Sequence, residues 1–133
     1  MNQTAQLRRL SLLLLLVSSV AACVAVAAGA GAAAAIAWTE RGAKSQVEGT
    51  PDQLYSRSAS VFQEMGIQQT GQSSGQEGGK RTLTGSRGDL DVTVEITTRT
   101  PTTSDVEVYA RKSAVEWDKN FARDVLTRII KRS

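Results

Sequence analysis

Two stretches in the second half of the chain alternate strictly between apolar and polar residues, and they constrain the fold more than any other feature. Residues 90–97 read LDVTVEIT, and residues 105–111 read DVEVYAR. Because successive side chains of a strand point to opposite faces, this period predicts two β-strands, each with one apolar and one solvated face. The polar segment at residues 99–103 contains Pro101 and predicts the turn that joins them.

The length of that turn predicts which residues face one another across the two strands. It sets three aliphatic pairs opposite each other: Ile96 with Val106, Val94 with Val108, and Val92 with Ala110. A slip of one residue would move one set of aliphatic side chains to the solvated face, which excludes that register. On the polar face, the same register places Glu95 opposite Glu107 and Thr93 opposite Tyr109.

A first helix is predicted after residue 50 from the signals at its two ends. Thr50 is the candidate N-cap, Pro51 occupies the first helical position, and Gln53 completes a capping box. An apolar stripe at three- and four-residue spacing follows. Gly66 then ends the helix in a left-handed conformation, with Ile67 as its hydrophobic partner.

A second helix is predicted near residue 120, with two candidate starts. Ser113 with Glu116 fits a capping box. A helix that began there would place Asp118 within the apolar stripe of residues 121–129, where a carboxylate is costly. We therefore predict Asp118 as the N-cap of a helix that runs to about Lys131.

The remaining segments complete the predicted fold. Residues 39–49 read as a polar linker or an edge strand, and residues 68–79 begin as a strand and become a glycine-rich loop. A further strand leads into a turn at residues 86–89, whose Arg-Gly-Asp sequence we interpret as turn chemistry rather than an adhesion motif. This order predicts an α+β domain over residues 50–133: an antiparallel sheet of three to four strands with two helices packed on one face.

The N-terminal part of the chain has a different character. Arg8 and Arg9 precede an apolar core at residues 10–20, and small residues then lead to Cys23. This layout is typical of a secretory signal, so we predict a signal peptide over residues 1–22. The net charge of +3 includes both arginines, so removal of the signal peptide would leave a net charge of +1.

Residues 20–23, Val-Ala-Ala-Cys, resemble the lipobox of bacterial lipoproteins. In that family the cysteine sulfur is alkylated with diacylglycerol, and the peptide bond before the cysteine is then cut. The resemblance implies that Cys23 is lipidated and that membrane lipid is its partner, with acyl chains as a stable anchor. The alternative for Cys23, the one cysteine of the chain, is a free thiol inside a membrane helix.

Alanine and glycine dominate residues 24–38, which end at Trp38, a residue type that suits a membrane interface. As a helix they would span about 22 Å, which is short of a bilayer core of about 30 Å. We predict a membrane-proximal segment over residues 23–38 that lies against the membrane or self-associates through its small residues. The alternative is a single-pass membrane protein with an uncleaved signal anchor over residues 10–38.

The complete pattern resembles a family of uncharacterised bacterial lipoproteins. The matching parts are Val20 to Cys23, Ala27 to Trp38, Leu54 to Ile67, Val92 to Ile96, and Val125 to Ile129. The shared motifs are structural, so the resemblance implies no activity. It departs at Met65-Gly66, where the family often has leucine. In Gram-negative lipoproteins an aspartate after the cysteine resembles an inner-membrane retention signal, so Val24 implies the outer membrane, facing the periplasm.

The composition excludes several function classes. The chain has no histidine, and its basic residues lack the interleaved aromatic residues of a nucleic-acid surface. No serine stands in a nucleophilic context, so we expect no catalysis, no cofactor and no metal site. The enzyme alternative is a carboxylate-dependent cell-wall hydrolase, with Glu95 as a candidate carboxylate.

The polar face of the predicted sheet is the candidate partner surface. Glu95, Glu107 and Tyr109 form a partly acidic patch there, and a hairpin that turns at residues 87–88 would place Lys80 beside Glu95. In one interpretation, Lys80 neutralises the opposed glutamates and the face is simply solvated. In the other, the patch binds a basic or polar protein partner in the cell envelope.

Overall fold

The computed structural model describes residues 35–75 and 79–132. Its strands are β1 (Ala37–Trp38), β2 (Gly42–Glu48), β3 (Gln68–Ser74), β4 (Lys80–Arg87), β5 (Leu90–Thr98) and β6 (Thr103–Arg111). Its helices are α1 (Pro51–Glu64), which lies between β2 and β3 in the chain, and α2 (Lys119–Lys131), which follows β6. The strands form one antiparallel sheet in the order β1-β2-β6-β5-β4-β3.

The prediction of a sheet of three to four strands is wrong, because six strands pair in the described part of the chain. The polar strand β3 reads QQTGQSS, lies at one edge of the sheet and is exposed along nearly its whole length. A strand without a buried apolar face has no alternation that a sequence pattern can detect. Its backbone groups are nevertheless paired with those of β4.

Residues 39–49, predicted as a polar linker or an edge strand, contain an inner strand of the sheet. β2 pairs with β6 from Gly42 opposite Tyr109 to Glu48 opposite Thr103, and with the short edge strand β1 on its other side. Small residues occupy most of the buried positions of β2, so the hydrophobic alternation is weak. The sheet therefore begins before Thr50, the predicted start of the domain.

The predicted register of β5 and β6 is confirmed. The observed aliphatic pairs are Val92 with Ala110, Val94 with Val108, and Ile96 with Val106, and all six side chains are fully buried. Glu95 lies opposite Glu107, and Thr93 lies opposite Tyr109, on the other face of the sheet.

The predicted register of β4 against β5 is wrong by two residues. The hairpin turns at Gly88 and the residue after it, so that Lys80 lies opposite Thr97 while Thr82 lies opposite Glu95. Gly88 has a φ of 61°, a left-handed conformation that glycine adopts without steric strain. The turn is therefore centred one residue further along the chain than predicted.

Both predicted ends of α1 are confirmed. The Thr50 side chain accepts a hydrogen bond from the Gln53 N–H at 3.3 Å, and the Gln53 side chain accepts one from the Thr50 N–H at 3.0 Å. At the other end Gly66 has a φ of 66°, and the Ile67 N–H donates to the Phe62 carbonyl at 2.8 Å. This left-handed cap lets Ile67 turn back into the core beside Phe62.

The choice of Asp118 as the N-cap of α2 is also confirmed. Its carboxylate accepts a hydrogen bond from the Phe121 N–H at 2.9 Å. The segment before it, residues 112–115, consists of bends and contains no helical turn. Asp118 therefore stands at the start of the helix, where its charge also favours the N-terminal dipole.

The two helices cover one face of the sheet and enclose a single core. α1 contacts β3, β4 and β5, α2 contacts β2 and β6, and the helices contact each other. The largest fully buried side chains of this core are Phe62, Leu54, Leu83, Ile96, Leu126 and Ile129. Because the helices bury this face, the opposite face of the sheet is left to solvent and carries the polar residues of β5 and β6.

Candidate functional site

The solvated face of the sheet brings together the four residues predicted as a partner surface. Glu95 and Glu107 lie directly opposite each other on β5 and β6. The Tyr109 hydroxyl donates a hydrogen bond to Glu95 Oε1 at 2.9 Å. Lys80 Nζ lies 3.7 Å from Glu95 Oε2. Lys80 pairs with Thr97, two residues along β5 from Glu95, so its side chain extends diagonally to reach the carboxylate.

Arg41 is a further member of this site. Its guanidinium carbon lies 4.4 Å from the centroid of the Tyr109 ring, within cation–π range. Its Nη2 atom lies 3.7 Å from Glu107 Oε1. Arg41 immediately precedes β2, so only the pairing of β2 with β6 brings it to Tyr109. The sequence around Arg41 does not predict this contact.

The face is balanced in charge rather than acidic. Lys80 and Arg41 each contact one of the two opposed glutamates. The other ion pairs that involve carboxylates of β5 and β6 join Lys44 to Asp105 at 3.8 Å, Arg99 to Asp105 at 3.2 Å, and Arg111 to Asp91 at 3.6 Å. Such exposed pairs stabilise a fold by about 0–1 kcal/mol each, so their main effect is to hold side chains in place.

Tyr109 is the titratable centre of the site. Burial raises the pKa of Tyr109 above its ordinary value of 10.0, and the hydrogen bond to Glu95 and the negative charge of Glu95 raise it further. The positive charge of Arg41 and a hydrogen bond with Thr93 oppose these effects and lower the pKa. The phenol is therefore a neutral hydrogen-bond donor at physiological pH.

We expect opposite changes in the pKa of Tyr109 when its two charged neighbours are neutralised. Glu95→Gln should lower this pKa, because it removes the negative charge that favours the neutral phenol. Arg41→Gln should raise it. The measurement is an absorbance titration of tyrosinate in a Tyr55→Phe background, which leaves Tyr109 as the one tyrosine of the chain.

The raised pKa of Tyr109 also makes the stability of the fold depend on pH. The contribution of its neutral form to folding is fully present below pH 10 and is lost as the pH rises through the higher pKa of the folded state. Circular dichroism along the titration should show that the fold persists while Tyr109 ionises. A Tyr109 pKa at or below 10.0, or a rise in that pKa on Glu95→Gln, would contradict the described contacts.

A shallow groove of about 600 Å³ lies where β1 and the start of α2 meet. It is lined by Trp38, Lys112, Glu116, Trp117, Asp118, Lys119 and Asn120. The Trp117 ring packs edge-on against Tyr109, with the ring centroids 5.8 Å apart, so the groove adjoins the sheet-face site. Trp117 is brought there by an isolated bridge to Arg111, which the sequence pattern does not predict.

Several predicted features lie outside the described residues. These are Cys23, the signal peptide over residues 1–22, and all of the Ala/Gly-rich segment before Ala35. Within residues 35–75 and 79–132, no helix is long and apolar enough to cross a membrane. In the same part of the chain, no group of three or more His, Cys, Asp and Glu side chains is arranged to hold a metal ion.

Comparison with known proteins places the chain in a family. No curated protein matches it. A family model described as "Protein of unknown function (DUF3568)" matches residues 7–132, which include both Cys23 and the whole described sheet. Because the match extends over most of its length, the chain belongs to the DUF3568 family, whose function is unknown.

Proposed function

We propose that the protein is a lipid-anchored lipoprotein of the bacterial cell envelope with a structural or protein-interaction role. The observation that carries this proposal is the position of Cys23. It ends the one stretch that reads as a secretory signal, and it lies fourteen residues before Ala37, the first residue of β1. A lipidated Cys23 would thus become the first residue of a chain that leads directly into the folded domain.

The tether between the anchor and the domain is short. The fourteen residues from Cys23 to the first strand residue, Ala37, span at most about 50 Å when fully extended. The sheet and its two helices would therefore remain close to the membrane surface. With Val24 after the cysteine, the proposed location is the outer membrane, with the domain facing the periplasm.

Lipidation should be lost completely when Cys23 is replaced by alanine. Radiolabelled palmitate should enter the wild-type protein, and intact-mass measurement should show that residues 1–22 are absent. In Cys23→Ala neither should occur, because alkylation of the sulfur comes before the cut. A protein that retains residues 1–22 would instead be the single-pass membrane protein with an uncleaved signal anchor.

A relocated thiol is the matched control for this experiment. Cys23→Ala combined with Ser73→Cys keeps one cysteine but places it on the exposed edge strand β3. No palmitate should enter this variant, because the thiol no longer follows the small residues at positions 20–22. Equal labelling of this variant and the wild type would show general acylation of any exposed thiol and would contradict the proposal.

The sheet-face site is the proposed protein-interaction surface. Its support is the fixed arrangement of Tyr109, its hydrogen bond to Glu95, and the stacking of Arg41 on its ring. Tyrosine and arginine are residue types that often dominate binding energy when a partner covers them. A polar or basic envelope protein could exchange the ion pairs of Glu95 and Glu107 for its own contacts.

Reversing the two opposed glutamates should remove the partner. We expect Glu95→Lys/Glu107→Lys to fold but to lose the envelope protein that crosslinks to the wild type, because four cations would then crowd one patch. The control is Glu64→Lys/Asp124→Lys, which makes the same charge change on the exposed helical layer and should keep the crosslink. If the first double variant keeps every crosslinked partner, this face is only a solvated surface.

The same geometry supports a role without catalysis. A retaining or inverting glycosidase needs one carboxyl group to deliver a proton while the other attacks or activates water. Here Glu95 also accepts the hydrogen bond of Tyr109, and both glutamates contact cations on an open sheet face. These contacts favour recognition over a carboxylate-dependent hydrolase.

A further inference from the structure

Both tryptophans of the chain line the groove between β1 and the start of α2. Trp38 is 52% exposed, and Val115, which is 89% exposed, lies in the loop just before Trp117. Trp38 and Val115 are the large exposed hydrophobic residues of the described part of the chain. Tryptophan is typical of surfaces that are apolar on one side and hydrated on the other, as at a membrane interface.

Cations surround these rings. The Arg123 guanidinium carbon lies 5.3 Å from the Trp38 ring centroid, and the Arg41 guanidinium carbon lies 6.0 Å from that of Trp117. Two lysines and two carboxylates line the groove as well: Lys112, Lys119, Glu116 and Asp118. The groove lining itself is neutral, since its two lysines balance its two carboxylates. Arg123 on the Trp38 ring adds one positive charge, whereas Arg41 is already paired with Glu107.

The two carboxylates of the groove are already engaged. Asp118 accepts the capping hydrogen bond of α2 from Phe121. Glu116 lies 3.9 Å from Lys112. Since Lys119 and Arg123 follow on the first turns of α2, the exposed rim presents positive charge next to the tryptophan rings, which is complementary to an anionic surface.

The chain enters the domain at this groove. Trp38 is in β1, the first strand of the described chain, and lies fifteen residues after Cys23. Fifteen residues span at most about 50 Å, so an anchor at Cys23 keeps this end of the sheet within that distance of the bilayer.

We infer that the groove docks on the anionic headgroup layer of the membrane in which Cys23 is anchored. Trp38, Trp117 and Val115 lie at the level of the headgroups, and Lys112, Lys119 and Arg123 contact lipid phosphates. The docking rests on the proposed anchor, and it goes beyond that anchor because it holds the domain in one orientation on the membrane.

Tryptophan fluorescence tests this docking directly, because both tryptophans are in the groove. The lipidated mature protein, which begins at Cys23, is reconstituted into vesicles of phosphatidylcholine and phosphatidylglycerol, with or without bromine on the acyl chains near the headgroups. We expect emission to fall about twofold in the brominated vesicles, since bromine quenches rings that lie at the interface. The quenching should weaken in high salt and in vesicles of phosphatidylcholine alone.

Charge variants separate docking from simple proximity. Lys112→Gln/Lys119→Gln should lower the docking equilibrium about twenty-fivefold, or about fivefold for each lysine, while co-flotation with vesicles is unchanged. The control is Lys131→Gln/Arg132→Gln, which removes the same charge at the other end of α2, about 18 Å away, and should be quenched like the wild type.

The outcomes distinguish the docking from the anchor. Co-flotation without quenching would overturn the docking and leave the anchor standing. Failure to co-float would overturn the anchor and the docking with it. If soluble peptidoglycan fragments changed the tryptophan emission while brominated lipid did not, the groove would be a glycan site and the docking would be wrong.

Discussion

Replacement of Gly42 by alanine is expected to destabilise the domain by about 3 kcal/mol, near the upper end for overpacking substitutions. A Cβ at this position would overlap the Val108 carbonyl oxygen and lie 2.9 Å from the Tyr109 Cα. Both are backbone atoms of β6, so no side-chain rotation can relieve the contact. β2 would have to move away from β6, along which it pairs from Gly42 to Glu48.

Urea unfolding followed by circular dichroism measures this loss. Gly79→Ala is the control, because a Cβ there meets no atom within 4 Å and that variant should unfold like the wild type. Movement of β2 would also carry Arg41 away from Tyr109 and Glu107. An unfolding midpoint for Gly42→Ala equal to that of the wild type would mean that β2 is not packed on β6 as described.

The second large effect is expected at Gly85, which lies in β4 beneath the C-terminal end of α1. A Cβ there would lie 2.7 Å from both Phe62 Cε2 and Ile67 Cγ2 and 2.8 Å from the Gln68 carbonyl oxygen. Gly85→Ala should therefore cost about 2 kcal/mol, because the helix end must lift from the sheet. The absence of a side chain at Gly85 is what allows Phe62 to reach the sheet surface.

A double-mutant cycle tests that explanation. Phe62→Leu alone should destabilise the domain by leaving unfilled volume in the core. In the Gly85→Ala background, the same change should cost about 1 kcal/mol less, because the smaller side chain gives room to the added methyl group. Additive free energies of unfolding for the two changes would show that the clash with Phe62 is not the cause.

The ends of both helices could be predicted from the sequence because their signals are local. The Thr50 and Gln53 capping box, the Gly66 stop and the Asp118 cap each depend on residues within a few positions of one another. The β5–β6 register could be predicted for a similar reason, since a short turn and two alternating strands leave one arrangement that buries all aliphatic side chains.

The strands β2 and β3 are less clearly marked in the sequence. β3 buries too little of its surface to need apolar residues, and β2 fills its buried positions mainly with small ones. Both belong to the sheet because their backbone groups pair with β4 and β6. Backbone pairing is available to any sequence without proline, so it leaves no pattern of residue types.

Part of the candidate site could be predicted from the sequence, and part depends on the tertiary structure. Glu95, Glu107 and Tyr109 share a face because alternation along two neighbouring strands is a property of the sequence itself. Arg41 and Trp117 reach Tyr109 only through the β2–β6 pairing and the bridge of Trp117 to Arg111. Trp38 and the start of α2 are likewise some eighty residues apart in the chain. Only the folded core brings them into one groove, because it sets where β1 and α2 lie.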